Sequence, residues 1–302
     1  MISVVIPALD SADTIAYTLS SIFSGDFPKN LYEVIVVDNG SVDNTVDVAS
    51  RFPVKVYVCL KRGQGPARNL GIKKACGDII CFTDSDVILP ANWLKKISDF
   101  LEKHPEVDGV GGPMLPPSNG HKNLLQKLAG EIYYEDQVFP TEITEPQIGG
   151  YRASFYSGNC AYRRDVLISV NGFDESLWDG NDIDLCWRVL KKGKCLIFNP
   201  HIKVIHIGFA STIRGIFDQQ FRWGRINTEL MRRYQEKSGS AKEMLKRKLY
   251  PYFHLIKTTL LLLSPSVTNV REKQLLKFLH HTTFHLGRLF ELAHPYKIQN
   301  TH

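Results

Sequence analysis

The chain has 302 residues, a formal net charge of +6 and 43% hydrophobic content. Enough apolar sequence is present to bury a sizeable core in one large domain with an appendage. The basic balance favours anionic partners in general, but the basic residues gather in the last third and no nucleic-acid motif accompanies them, so nucleic acid is set aside as a partner.

In chain order, Ile2-Ser3-Val4-Val5-Ile6 is a β-branched run closed by Pro7, and a helix is expected from about Ser11 to Ser24. Val34-Ile35-Val36-Val37 ends in Asp38-Asn39-Gly40-Ser41, with a second helix over Val42 to Arg51. Val54 to Val58 precedes Gly63-Gln64-Gly65-Pro66 and a helix carrying Arg68, Asn69 and Lys73. Ile79-Ile80-Cys81-Phe82 then stops in Thr83-Asp84-Ser85-Asp86, followed by a helix over Trp93 to Lys103 and a strand at Val107 to Val110. Short, wholly apolar strands alternating with amphipathic helices predict an α/β fold, a mostly parallel sheet covered on both faces. Ligands of such sheets bind at the carboxyl ends of the strands. Asp38, Arg68, Asp84 and Asp86 all fall at that edge. Two carboxylates one residue apart at the end of a buried strand suit a divalent cation carrying phosphates, although a solvated turn capping the next helix uses the same residues.

Between Gly111 and Arg152 the pattern loosens around a helical piece from about Lys122 to Tyr134, whose Tyr133-Tyr134-Glu135-Asp136 either lines a groove whose aromatic faces suit sugar rings or forms a surface aromatic patch. Asn181 or Asp182 starts a helix that runs to about Lys192 and stops at Gly193. Its acids interact with the helix dipole and free amides, and Asp184 is spaced to pair with Arg188. Another apolar strand ends in Val204-Ile205-His206-Ile207-Gly208.

Beyond Gly208 the character changes. Arg232, Arg233, Lys237, Lys242, Lys246, Arg247 and Lys248 outnumber Glu236 and Glu243, and an aromatic and leucine-rich stretch runs on to Leu263. Two readings stay open here: a helix lying on an anionic membrane surface, or a helical hairpin packed on the α/β domain. Lys257 divides the apolar run and Pro265 ends it, short of a bilayer span. His281 and His285 share a helix face without the acid of a zinc-protease motif. The six cysteines show no paired metal spacing, which predicts reduced thiols and a cytoplasmic protein, peripheral on the inner face of the cytoplasmic membrane if the first reading holds. Met1 runs straight into the first strand, so no signal peptide is expected.

The strings Ser3-Val4-Val5-Ile6-Pro7-Ala8, Val36-Val37-Asp38-Asn39-Gly40-Ser41-Val42-Asp43-Asn44-Thr45, Gly65-Pro66-Ala67-Arg68-Asn69-Leu70-Gly71 and Thr83-Asp84-Ser85-Asp86, in this order and spacing, resemble family 2 glycosyltransferases. The likeness continues to about Gly208, with a weaker echo to Arg225. The resemblance implies a GT-A fold, a nucleotide-sugar donor, a divalent metal (Mn2+ or Mg2+) and inversion at the anomeric carbon. It divides the chain into a catalytic domain over 1–212, with a donor half at 1–111 and an acceptor half at 112–212, and a helical region over 213–302.

The resemblance also implies roles. Pro7, Ala8 and Leu9 would line the uridine, with Asp10 standing in for an acid of that turn. Asp38 would accept the N3–H of uracil, which favours a UDP-sugar. Arg68 would face the nucleotide, Asp84 and Ser85 the ribose or donor sugar, and Asp86 the metal, with His206 as either a third ligand or a structural histidine. Asp182 maps to the general base that takes the proton of an acceptor hydroxyl. Gly158, in a small-residue turn, would lie near the sugars. The acid that the family places just before the base is replaced by Asn181, a further candidate contact to the sugars. Gln219-Gln220-Phe221-Arg222-Trp223 resembles the acceptor motif of processive polysaccharide synthases, making Arg222 and Trp223 candidate contacts. The implied acceptor is a glycan precursor or a lipid-linked sugar. Two competitors remain: a sugar nucleotidyltransferase, which would need a Gly-rich basic loop where Ala8-Leu9-Asp10 stands, and a non-catalytic membrane-associated protein that keeps the nucleotide-sugar site.

Overall fold

The computed structural model describes residues 1–120, 122–137, 139–148, 154–234 and 271–294. β1 (Ile2–Ala8) is buried along its whole length and runs parallel to β2 (Tyr32–Asp38) on one side and β4 (Ile79–Phe82) on the other. A strand enclosed on both faces needs apolar side chains in succession, which explains why these runs do not alternate. Pro7 pairs with Val37, whereas pairing with β4 has ended at Val5 and Phe82, so the missing N–H falls where no ladder bond is needed on that side. β3 (Lys55–Val58) adds parallel to β2, and β8 (Cys160–Arg163) lies antiparallel between β4 and β6 (Gly109–Gly111). β9 (Leu196–Phe198) pairs parallel to β6, giving a seven-stranded sheet in the order β3-β2-β1-β4-β8-β6-β9. A three-stranded sheet sets β10 (Val204–His206) between β5 (Val87–Ile88) and β7 (Met114–Leu115). This small sheet matters to the site, because its register places His206 opposite Val87, the residue after Asp86.

Up to β10 the helices in chain order are α1 (Ile15–Phe23), α2 (Thr45–Ala49), α3 (Gln64–Lys74) and α4 (Trp93–Lys103), then α5 (Leu124–Gln137), α6 (Arg164–Ser169) and α7 (Asn181–Lys191). α1 buries Ile15, Leu19 and Ile22, and α4 buries Trp93, Leu94, Ile97 and Leu101, both at helical spacing. α1 and α2 start later than the expected Ser11 and Val42. The Ser11 amide donates to Thr45 Oγ1 at 2.7 Å and the Ala12 amide to Asp43 Oδ2 at 3.0 Å, so these residues tie two loops together instead of extending helices.

The chain divides into two compact units, Met1–Gly120 with Tyr134–Gly208, and His121–Tyr133 with Phe209–His302. In the second, α8 (Ile213–Tyr234) packs against α9 (Arg271–Ala293) backbone to backbone. A Cβ on Gly224 would lie 1.8 Å from the Phe284 carbonyl oxygen, and one on Gly287 would lie 2.0 Å from that of Phe221. Arg225 Nε donates to the buried Glu291 at 2.8 Å. Trp223 stands 5.8 Å from the Tyr133 ring, and Tyr133 is buried here rather than part of a surface patch. His280 and His285 are buried on α9, and burial pulls the His280 imidazole down to about 3. The basic and leucine-rich stretch over 235–270 lies outside the described residues. Among those described, no helix is long and apolar enough to cross a membrane.

Candidate active site

The carboxyl ends of β1, β2 and β4 meet along one edge of the large sheet. At the end of β1, Pro7 and Ala8 are buried while Leu9 is 54% exposed, and Asp10 has φ +47°. Asp tolerates this left-handed conformation better than bulkier residues. Asp10 is held on both sides, its amide donating to Ser41 Oγ at 3.0 Å and its Oδ1 accepting from the Val42 amide at 2.8 Å. Asp38, 4% exposed, closes its own turn: Oδ2 accepts from the Gly40 amide at 3.1 Å and Oδ1 from the Ser41 amide at 3.2 Å. Ser85 is buried and bonds Ser11 Oγ at 2.8 Å, so its hydroxyl serves the β1 loop.

Asp84 and Asp86 follow β4, each side chain 27% exposed. Arg68 reaches from α3, itself 1% exposed, and donates through Nη2 to Asp84 Oδ1 at 2.8 Å. Asp86 Oδ2 lies 3.3 Å from His206 Nε2. Burial is the largest influence on all three titrating groups. It pushes the Asp84 carboxyl up, Arg68 pulls against it and Asp86 adds to it. Burial also opposes charge on Asp86 and His206, but their mutual attraction wins, holding the Asp86 carboxyl low and the His206 imidazole high.

Asp86 Oδ1 is buried with no hydrogen-bond partner among the described residues. An orphaned carboxylate oxygen is costly unless a ligand completes it. The space around this acid is also reserved, since a Cβ on Gly208 would fall 1.6 Å from Asp86 Oδ2 and one on Gly158 would fall 2.9 Å from Asp84 Oδ2. Carboxylate oxygens and an imidazole nitrogen fit a divalent cation of the Mg2+ or Mn2+ kind.

Two bridges bring α7 to this edge. Arg68 Nη1 donates to Asn181 Oδ1 at 3.2 Å, and Asn181 immediately precedes Asp182. The Ser157 amide donates to Asp182 Oδ2 at 3.1 Å, while the next residue, Gly158, sits against Asp84. The Asp182 Oδ1 accepts from the Ile183 amide at 2.8 Å. Asp184 is occupied by Arg188 at 2.7 Å, as its spacing predicts. Pro7, Ala8, Asp10, Asp38, Arg68, Asp84, Asp86, Gly158, Asn181, Asp182 and His206 thus belong to the first unit, whereas Arg222 and Trp223 lie on α8 in the second.

Sequence reasoning missed Ser157 and Gly208 as members of the site. Both stand beside residues it did select, Gly158 and His206, and their contacts depend on pairings distant in sequence.

The model of the family described as "Glycosyl transferase family 2" matches residues 3–170, more than half of the chain. The chain belongs to glycosyl transferase family 2. Glycosyltransferase AglE of Haloferax volcanii is 28% identical over 234 residues, covering 74% of this chain and 72% of that protein. The poly(ribitol-phosphate) beta-N-acetylglucosaminyltransferase TarS of Staphylococcus aureus is 31% identical over 180 residues, covering 56% of this chain and 30% of that longer protein. Its residues 1–349, solved with UDP-GlcNAc, superpose with a TM-score of 0.56 at 18% identity over 98% of this chain and 93% of that one. The mannosyltransferase PcManGT of Pyrobaculum calidifontis, solved with GDP-Man and Mn2+, gives a TM-score of 0.63 at 18% identity over 94% of this chain and 86% of that one. The fold is GT-A and the protein is a family 2 glycosyltransferase.

Proposed function

We propose that this family 2 enzyme is a metal-dependent, inverting glycosyltransferase that moves a sugar from a UDP-sugar to the hydroxyl of a glycan precursor or lipid-linked acceptor. The observation that carries the reading is the double bridge from α7 to the Asp84–Asp86 edge, through Arg68 with Asn181 and through Ser157 with Gly158. It holds a third carboxylate, Asp182, beside the edge where Asp84 and Asp86 would meet the donor.

In this reading Asp182 receives the proton of the acceptor hydroxyl as that oxygen attacks the anomeric carbon and the carbon–oxygen bond to the diphosphate breaks. Ser157 and the Ile183 amide fix the direction of the carboxylate beforehand. Asp86 and His206 would hold the metal, and Asp84, oriented by Arg68, would meet the ribose or donor sugar. The bound cation supplies Lewis-acid stabilisation of the departing nucleoside diphosphate. Asp38, with Pro7, Ala8 and Leu9, would hold the uracil, the residue type at 38 supplying an acceptor for N3–H. TarS carries a uridine donor and PcManGT a guanosine one, so Asp38 is what favours uridine.

The same reading places the basic carboxyl-terminal region at an anionic membrane surface. Leu275, Leu279, Leu286 and Leu289 are exposed on α9 at spacings that put them on one face, as an interfacial helix requires. Sedimentation with anionic and zwitterionic vesicles tests this part, anionic vesicles alone being expected to carry the protein down.

Calorimetric titration with UDP, GDP and dTDP, with and without Mn2+, tests the donor site. Metal-dependent binding of UDP above the other two is expected. A folded protein that binds no nucleotide would remove the reading, and GDP preference would overturn the role given to Asp38.

A further inference from the structure

Two loops with separate duties in the proposed reaction meet at the start of α3. The first, residues 59–63, follows β3 and is pinned to the end of β2 by Asn39, the neighbour of Asp38. Asn39 Nδ2 donates to the Cys59 carbonyl at 3.1 Å and to the Lys61 carbonyl at 2.8 Å, and its Oδ1 accepts from the Gly63 amide at 2.7 Å. The second loop, residues 173–180, leads into α7 and so to Asp182. Its backbone rests on α3, since a Cβ on Gly65 would lie 3.4 Å from the Asp174 carbonyl oxygen and 3.7 Å from Glu175 Cα. Asn69 fastens it as well, its Nδ2 donating to the Phe173 carbonyl at 2.9 Å and its Oδ1 accepting from the Phe173 amide at 2.8 Å.

Both loops converge on the Glu175 carboxylate. Oε1 accepts from Asn69 Nδ2 at 2.8 Å, and Oε2 accepts from Lys61 Nζ at 2.8 Å. Asn69 aims the acid from the α3 side, and Lys61 is the group that spans from one loop to the other. The pair stands at the surface, Lys61 being 61% and Glu175 33% exposed at the side chain. Burial alone would raise the Glu175 carboxyl, but Asn69 and Lys61 outweigh it and hold the group low, while the bond to Glu175 raises the Lys61 amine. An ion pair this open to water contributes little to folding. What it does supply is a charged link between a loop beside the nucleotide and a loop ahead of the base.

We propose that Lys61 and Glu175 are positioning residues that couple the two loops, so that a nucleotide bound beside Asp38 orders residues 173–180 ahead of Asp182. This coupling rests on the reading of Asp38 as the uracil contact and of Asp182 as the base. It adds communication between the donor and acceptor halves, which neither residue provides alone.

Hydrogen exchange of the full chain, with Mn2+ and with or without saturating UDP, reads the coupling without any acceptor. In the wild type, UDP should slow exchange about fivefold in both 59–63 and 173–180. Glu175→Gln keeps the size of the side chain and the bond from Asn69 but loses the charge. Its slowing should persist at 59–63 and fall below about twofold at 173–180. Lys61→Met should behave in the same way, and Lys61→Arg, which restores the charge, should regain the wild-type pattern. UDP affinity should stay within about threefold of wild type in all three variants, as expected for an exposed pair. Slowing at 173–180 that survives in both neutral variants would overturn the inference, as would a Lys61→Arg protein that behaves like Lys61→Met. Loss of UDP binding in Lys61→Met would make Lys61 a nucleotide contact and overturn it too. A wild type that binds no UDP would remove the donor-site reading and this coupling with it, an outcome distinct from a UDP-bound wild type whose residues 173–180 do not respond.

Discussion

The two ends of the central strands treat buried charge in opposite ways. At the amino end, Glu33 is closed on all sides: Oε1 accepts from Ser3 Oγ at 2.6 Å and the Cys76 amide at 2.7 Å, and Oε2 accepts from Lys55 Nζ at 2.8 Å. Ser3 Oγ in turn accepts from the Gly77 amide at 2.8 Å. At the carboxyl end, Asp86 Oδ1 and Arg68 Nε remain without partners among the described residues. Both ends belong to β1, β2 and β4, so strand propensity and core packing are shared. The difference is that one network ends on protein and the other ends on open positions. A fully satisfied acid contributes to stability, whereas an acid left open costs stability and is retained where a ligand completes it.

Substitutions at the carboxyl end should therefore remove activity and spare the fold. The largest effect is expected from Asp182→Asn, which keeps the size of the side chain and removes its capacity to take a proton. Turnover should fall by about 10²–10⁴-fold with UDP affinity unchanged, measured by product formation beside calorimetry. Loss of nucleotide binding in this variant would place Asp182 in the donor site instead. Asp86→Asn comes next. Metal-dependent UDP binding should weaken by roughly 100-fold, while the thermal midpoint without metal falls only slightly, since the attraction to His206 that holds the carboxyl low is lost but the side chain keeps its size. A large drop in that midpoint would make Asp86 structural and collapse the contrast between the two ends.

Much of the carboxyl end was legible in the sequence. The acids stand at or just after the ends of apolar runs and Arg68 in the helix that follows one of them, and the carboxyl ends of the strands in a parallel sheet converge. Asp184 with Arg188 followed from helical spacing alone. What could not be read was anything set by pairing across the chain. The reversed strand β8 brings Ser157 and Gly158 to Asp182 and Asp84, and no local pattern announces that reversal. The short β5–β10 pairing likewise puts Gly208 against Asp86. The late starts of α1 and α2 were hidden for a related reason: Ser11 and Asp43 have local options in turns that compete with helix, and their partners are about thirty residues away.

Gly208→Ala tests how closely the carboxyl end is shaped. The added methyl would fall 1.6 Å from Asp86 Oδ2, so the carboxylate or the loop after β10 must move. Mn2+ should be needed at about tenfold higher concentration to support UDP binding, with the fold retained because the displaced group is a side chain. Unchanged metal dependence would mean that Asp86 can turn away at no cost, which the paired His206 argues against.

The smallest effect is expected at the amino end and has the opposite character. Burial alone would raise the Glu33 carboxyl, but Lys55, the Ser3 hydroxyl and the Cys76 amide outweigh it and hold the group below the ordinary carboxylate range. A folded-state pKa below the unfolded one means that ionised Glu33 favours the fold above the unfolded value of about 4.3, and that this contribution fades as pH falls through the lower folded value. Glu33→Gln should thus lose about 1–2 kcal/mol at pH 7, with UDP binding and turnover unchanged. Urea midpoints of the two proteins should draw together below about pH 4. Midpoints equally far apart at pH 3 would mean that shape rather than charge holds the amino end together. Loss of turnover in a stable Glu33→Gln would show that the two ends are coupled, and that open and closed networks on the same strands are not independent.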